Sequence, residues 1–261
     1  MQLTTKTLAA AKRDLAAFGI GSLLAKPESN PKLAKNGKVG VMAAPLHLAP
    51  AKLSGYEVCP TATDGCRAAC LHTAGNPAYM AGKAFARVAR TKAYFEAREA
   101  FMTLLVIEIS ALRRKALSEG MQPAVRLNAT SDIPWERVAF TLDGVAYDNL
   151  MTLFPDVEFY DYTKRANRRN LPANYTLTFS LAEDNDAAAV QAMANGINVA
   201  VVFATRRGKG LPEAFTVGGL TAPVIDGDEH DFRPLDARGV FVGLRAKGDA
   251  IGDTSGFVRA A

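Results

Sequence analysis

The amino-acid sequence predicts an α/β fold, a partial or open (β/α) barrel of about six to seven mostly parallel strands with an N-terminal helical extension. Three observations carry this reading. Short apolar runs recur at Lys38–Ala43, Ala124–Asn128, Val157–Tyr160, Thr176–Ser180, Val199–Phe203, Ala222–Ile225 and Val240–Leu244. Loops or helical candidates separate them, and strands alternating with helices are the mark of parallel βαβ units. The 261 residues suffice to bury a full core. A doubly wound sheet is the second choice.

The elements follow in order. Leu8, Leu15 and Phe18 share one face of a helix over Thr5–Phe18, with Gly19 as its stop. A loop rich in Lys, Pro and Asn spans Lys26–Gly37. The first strand, Lys38–Ala43, is bounded by glycine and proline. An irregular segment, Pro45–Thr73, leads into a long helical stretch from Tyr79 to Ser118. There Met80, Ala84, Val88, Phe95, Met102, Leu105, Ile109 and Leu112 recur at helical spacing. Its length implies two helices with a break near Arg98, and Gly120 ends the second. Further helices are expected at Trp135–Leu153, near Arg165 and at Asp184–Asn195. Without an internal repeat or linker, the expected organisation is a single α/β domain: residues 1–37 as N-terminal helix and loop, 38–261 as β/α core.

Composition narrows the class. Hydrophobic residues make up 49% and charged residues 22%, an ordinary globular balance. No apolar run approaches the roughly 18–20 residues of a membrane span, and Glu108 interrupts the greasiest stretch, Phe101–Leu112. The N-terminus lacks the apolar centre of a signal peptide, so a cytoplasmic protein without a membrane partner is expected. A net charge of +5 permits contact with nucleic acid without demanding it. The basic groups Lys164-Arg165 with Arg168-Arg169, and Arg206-Arg207 with Lys209, read as solvated loops.

The chemistry concentrates in the cysteines. Cys59, Cys66 and Cys70 are the only three in the chain and fall within Cys59-Pro-Thr-Ala-Thr-Asp-Gly-Cys66-Arg-Ala-Ala-Cys70, a C-x6-C-x3-C spacing. Three thiols cannot all pair within one chain, and a reducing compartment disfavours disulfides. If a helix begins near Arg67, Cys66 and Cys70 share a face. Asp64-Gly65 then supplies the turn that brings Cys59 back. The bunching points to a metal centre. An iron–sulfur cluster is the first reading, with 4Fe–4S ahead of 3Fe–4S. Zinc with His72 as fourth ligand is the alternative, and a metal-free role for the thiols the third. The loop follows the first strand of the β/α part, and loops after strands form the ligand face of parallel architectures.

Other polar groups sit at strand ends and are candidates for the same face. Asn128 follows one strand, and Ser131 or Asp132 beyond it fits the N-cap of the next helix. Asp161 and Lys164 follow another strand, able to pair with each other or to face the metal. Ser180 with Glu183, and Thr205 with Arg206-Arg207, follow two more. Asp226-Gly-Asp-Glu-His230-Asp231 reads as an exposed acidic turn or a hard-cation site, with His230 as a possible ligand of the open iron. Arg245 and Lys247 follow the last strand and approach the cysteine loop if that strand lies beside the first. His47, just before the loop, reads by default as a satisfied or exposed side chain. The site set is therefore Cys59, Cys66 and Cys70 for the metal, with Asn128, Asp132, Asp161, Lys164, Arg245 and Lys247 for a bound ligand.

A three-cysteine loop ahead of repeated β/α units resembles the radical S-adenosylmethionine (SAM) superfamily, whose usual motif is C-x3-C-x2-C. That resemblance implies a 4Fe–4S cluster with SAM on the open iron, and the x6-x3 spacing departs from it. The chain is similar along most of its length to the gene product 88-like family of phage and plasmid proteins. The shared features are the Cys59–Cys70 loop, Asn128 with Ser131-Asp132, Tyr160-Asp161-Tyr162-Thr163-Lys164, and Gly243-Leu244-Arg245-Ala246-Lys247-Gly248. This implies a phage or mobile-element protein acting in the host cytoplasm. Two functions remain: an enzyme binding a small anionic substrate or cofactor at the open iron, or a metal-stapled regulatory or redox-sensing protein that contacts nucleic acid.

Overall fold

The computed structural model describes residues 5–27, 31–70, 81–206 and 208–261. His72, Met80, Arg207 and the start of the long helical stretch lie outside the described residues. Helix α1 (Thr5–Ala16) and the short α2 (Pro31–Ala34) precede strand β1 (Val41–Pro45). A 3-10 turn over Lys35–Val39 replaces the expected start of that strand, because Gly40 turns the chain with a left-handed φ of 72°. The cysteine loop carries the five-residue helix α3 (Asp64–Ala68). Two long helices follow, α4 (Ala81–Glu96) and α5 (Arg98–Ser118), broken at Ala97 beside the expected position. Then come β2 (Gln122–Arg126), β3 (Phe140–Leu142), β4 (Val145–Tyr147), α6 (Leu150–Leu153), β5 (Glu158–Thr163) and β6 (Tyr175–Ser180). The chain ends with α7 (Asp186–Ala194), β7 (Val199–Phe203), β8 (Ala214–Val217), β9 (Leu220–Asp226), β10 (Phe241–Arg245) and β11 (Val258–Arg259).

Among the described residues, nine strands form one mostly parallel sheet in the order β1-β2-β5-β6-β7-β10-β9-β8, with β11 beside β7. Only β8 runs antiparallel to its neighbour. The end strands β1 and β8 do not pair, so the sheet is not closed into a barrel. Strand β6 pairs with β7 at Val199 and Ala200, whereas β11 takes over at Val202 and Phe203. The C-terminus thus fills the gap where β6 and β7 part.

Side-chain alternation along the strands separates two faces. Met42, Ala44, Val125, Phe159 and Leu177 pack with Phe101 and Leu105 of α5. Phe179, two residues past Leu177 and so on the same face, packs with Val199, Val201 and Phe203 and with Ala189 and Ala192 of α7. Helices α5 and α7 therefore cover one face. The other face carries Val41, Ala43, Ala124 and Tyr160, covered by Leu33 and by Phe232 from the β9–β10 connection. Glu108, the charge inside the apolar α5, accepts from the backbone N–H groups of Leu23 (3.0 Å) and Leu24 (2.7 Å), clasping the chain after α1 to the helix.

Two expected helices do not form. Trp135–Leu153 is instead a 3-10 turn (Trp135–Arg137), the β3–β4 hairpin and the short α6. The cause is Asp143-Gly144, both at positive φ, the backbone a tight two-residue hairpin turn requires. Near Arg165 the chain makes turns, because Arg168 is drawn into the interior rather than left on a helix surface. Of the basic groups Lys164-Arg165 and Arg168-Arg169, the solvated reading is corrected for Arg168; Arg169 is exposed. Arg168 is 3% exposed and pairs with Glu136 and with the Tyr175 hydroxyl.

Candidate functional site

The face opposite α5 and α7 opens into a cleft of about 1310 Å³ at the C-terminal ends of the strands. The inward alternation that gives Val41 and Ala43 continues to Pro45 and His47; Ala124 leads to Arg126 and Asn128; Tyr160 leads to Tyr162 and Lys164. All six of these strand-end residues line the cleft. Ser180, Val202 and Leu244 extend the floor across β6, β7 and β10. Cys59, Cys66 and Cys70 line one wall together.

The cysteine loop is tied down residue by residue. The Ala62 N–H donates to the Cys59 carbonyl, so the turn lies just after Cys59, whereas Asp64-Gly65 opens α3. Thr63 caps that helix by accepting from the Cys66 N–H at 3.1 Å. Glu183, beyond β6, accepts from the Thr63 hydroxyl (2.8 Å) and from the Gly65 N–H (2.7 Å). A side chain at Gly65 would collide with Glu183 and Ser255, which is why glycine stands there. Cys66 packs against Ala69, Ala182, Ala250 and Phe257. The Cys59 Sγ lies 3.8 Å from the Thr130 carbonyl. Burial pushes its thiol up to about 12, and the nearby sulfurs of Cys70 and Cys66 act in the same direction. A thiolate here calls for a compensating cation. Among the described residues no three His, Cys, Asp or Glu side chains stand as a group ready to hold a metal ion.

Asp132 does not cap a helix; the 3-10 turn that follows begins at Trp135, preceded by Pro134, with no side-chain cap. Its carboxylate instead accepts from Thr61 (3.1 Å), Thr163 (2.7 Å) and the Lys164 N–H (2.9 Å), joining the cysteine loop to the ends of β2 and β5. Asn128 lines the cleft but commits its amide inward: its Oδ1 accepts from Ser131, the Ile133 N–H and the Trp135 indole, and its Nδ2 donates to the Ile133 carbonyl. Asp161 does not line the cleft. It is buried, accepts from the Asn128 N–H (2.6 Å) and the Tyr175 hydroxyl (2.8 Å), and burial raises its carboxyl to about 7. Lys164 does not pair with it; its ammonium donates to Ser180 at 2.9 Å.

Arg245 and Lys247 reach the cleft, though β10 lies between β7 and β9 rather than beside β1. They bind the acidic turn: Arg245 to Asp226 (2.9 Å) and Asp228, Lys247 to Asp228 (2.6 Å). Asp231 pairs with Arg126 at 3.1 Å, 105 positions away in sequence. The carboxylates read as a cation site thus face arginine and lysine. His230 contacts Arg233 and does not line the cleft.

Sequence reasoning missed the cationic wall. Arg87 and Arg90 of α4 and Arg126 of β2 line the cleft around His47. Burial, reinforced by these three guanidiniums, lowers the His47 imidazole to about 3, so it is neutral near pH 7. A charge inside the apolar run Ala124–Asn128 was the available signal for Arg126. Arg87 and Arg90 gave none, being ordinary for a helix surface.

Among the described residues no helix is long and apolar enough to cross a membrane. No curated protein and no solved structure matches the chain. Residues 22–261 match the family described as gene product 88, and the chain belongs to that family.

Proposed function

We propose that this chain is an iron–sulfur protein whose cluster is held by Cys59, Cys66 and Cys70 at the mouth of a partial β/α barrel, where it binds a small anionic substrate or cofactor. The observation that carries the reading is the convergence of the only three cysteines on one cleft at the C-terminal strand ends. Those three donors are soft sulfurs, which suit iron–sulfur centres. Cluster thiolates each bind a separate iron, so they need not meet at one point as the ligands of a single ion do. Three thiolates on a 4Fe–4S centre leave one iron for a non-cysteine ligand. The residues of the chain divide the remaining work. Thr63, Glu183 and Asp132 hold the loop, and Phe257 and Ala250 pack around Cys66. Lys164 and the arginine wall supply positive charge for an anionic ligand.

The barrel reading rests on winding. Strands β1, β2, β5, β6 and β7 follow one another across the sheet in sequence order, the order turning back only at β10, which lies between β7 and β9; the longer helices α5 and α7 share one face, with the four-residue α2 on the other. A doubly wound sheet reverses and carries helices on both faces.

Anaerobic purification with iron and acid-labile sulfide analysis tests the proposal. Stoichiometric iron and sulfide, lost when Cys59, Cys66 or Cys70 is replaced by serine, is the expected result. Zinc in place of iron would overturn it. Adding SAM to the reduced protein and recording the electron paramagnetic resonance spectrum tests the link to radical SAM chemistry, which an unchanged spectrum excludes.

A further inference from the structure

We propose that Arg87, Arg90 and Arg126 form an anion subsite in this cleft that takes the phosphoryl group of a small molecule. The proposal rests on the reading of the cleft as a ligand site and names the chemistry of what it takes. Arg87 and Arg90 stand one helical turn apart on α4, and Arg126 rises from the floor on β2. All three line the cleft together with His47 and act on its imidazole, and Asp231 is the opposing charge there. Burial weakens the hold of Arg87 and Arg90 on their protons, and Arg87 adds repulsion to Arg90. The Arg90 Nε donates to the Ser22 carbonyl at 3.0 Å, and Glu108, whose charge acts on Arg90, turns its oxygens to the Leu23 and Leu24 N–H groups.

The floor supplies an independent observation. The Arg126 guanidinium stacks over the Tyr162 ring, 4.7 Å from its centroid. Its Nη1 donates to Asp231, but its Nε and the Tyr162 hydroxyl are both buried without a hydrogen-bond partner. Buried polar groups are nearly always paired, so two orphaned donors on one stacked pair mark a place for an acceptor. Guanidiniums offer forked donors that match the oxygens of a phosphoryl group, and a dianion offsets more of the cationic excess than one carboxylate does. The concave setting between the ends of β1 and β2 suits a small phosphoester rather than a polymer backbone.

Calorimetric titration of the whole chain at fixed ionic strength, with inorganic phosphate, pyrophosphate and succinate in turn, tests this. Saturable binding of phosphate or pyrophosphate, tighter than succinate, is expected. Arg87→Gln and Arg90→Gln, at half-buried positions, should each weaken it about tenfold or more with unchanged circular dichroism, since charge-assisted hydrogen bonds carry this much. No saturable phosphate or pyrophosphate binding overturns the subsite, as does a double Gln variant that binds like the parent. Adenosine monophosphate should bind at least as tightly per site as a short single-stranded DNA; tighter binding of the DNA overturns the small-molecule assignment. Iron measured on the same samples keeps the two proposals apart. Phosphate binding without iron retires the cluster alone, and iron without phosphate binding retires the subsite alone.

Discussion

Replacing Asn128 with alanine separates a structural hub from a ligand-binding amide. The Asn128 side chain meets Ser131 (2.8 Å), the Ile133 N–H (2.9 Å), the Trp135 indole N–H (3.1 Å) and the Ile133 carbonyl (2.9 Å). Trp135 is fully buried, and its ring lies edge-on to Tyr94 at 5.3 Å. The Ser131 hydroxyl can rotate to a new partner, whereas the Ile133 and Trp135 N–H groups cannot. Each orphaned buried donor costs about 1–3 kcal/mol, so the substitution should destabilise the fold by roughly 3–5 kcal/mol. For a chain of this size that is a fall in Tm on the order of 10 °C. Urea unfolding followed by Trp135 fluorescence reads it directly, since Trp135 is the single tryptophan. A loss below about 1 kcal/mol, with ligand binding abolished, would refute the hub argument and return Asn128 to the ligand.

Further outcomes follow from the same contacts. Gly65→Ala drives a methyl group into Glu183 and Ser255, so α3 should shift and Cys66 should alkylate faster in iron-free protein; an unchanged rate refutes the clamp. Arg168→Met leaves buried Glu136 with only the distant Arg137 (3.9 Å) and should cost about 3–5 kcal/mol, measured by urea unfolding. Asp161 and His47 should give opposite pH dependences. With its folded value raised to about 7, Asp161 keeps a proton that the unfolded chain has lost above about pH 4, so its contribution to stability declines as pH rises from about 4 to 7. With its folded value lowered to about 3, His47 refuses a proton that the unfolded chain accepts below about 6.5, so stability is lost as pH falls from about 6.5 toward 3. Asp161→Asn should remove the first slope and His47→Gln the second, each approaching ~1.4 kcal/mol per pH unit in urea midpoints. Slopes of the same sign in the two variants would contradict both assignments.

The strands were legible because their signal is local. Val199–Phe203 is an unbroken apolar run in the sequence and a strand with the same bounds in the structure. The break between α4 and α5 was legible from length alone. The β3–β4 hairpin was also written locally, in Asp143-Gly144 between short alternating runs, but the apolar spacing after Trp135 masked it. What the sequence could not show is pairing at long range. Arg126 meets Asp231 across 105 positions, and Thr63 meets Glu183 across 120. Beyond the lone charge of Arg126 in its apolar run, neither pair leaves a pattern in its own neighbourhood, so the arginine wall and the loop clamp became visible only in three dimensions. The cysteines stood out because their chemistry is rare in this chain and their spacing is short.

The clamp decides how the thiols are placed. A five-residue helix cannot hold its own conformation, because nucleating a helix costs more than one turn of hydrogen bonds returns. Helix α3 therefore takes its position from what grips it, and the grips are carboxylates from other parts of the sheet: Glu183 beyond β6 on its N-terminal turn, and Asp132 beyond β2 on Thr61. Asp132 is also fixed to the end of β5 through Thr163 and Lys164. The separation of Cys59 from Cys66 is thus set by the spread of the strand ends from β2 to β6. The same strand ends carry Arg126, Tyr162 and Lys164 into the cleft. Sulfur wall and cationic floor consequently share one frame, and a change that alters the splay of β5 and β6 moves both together.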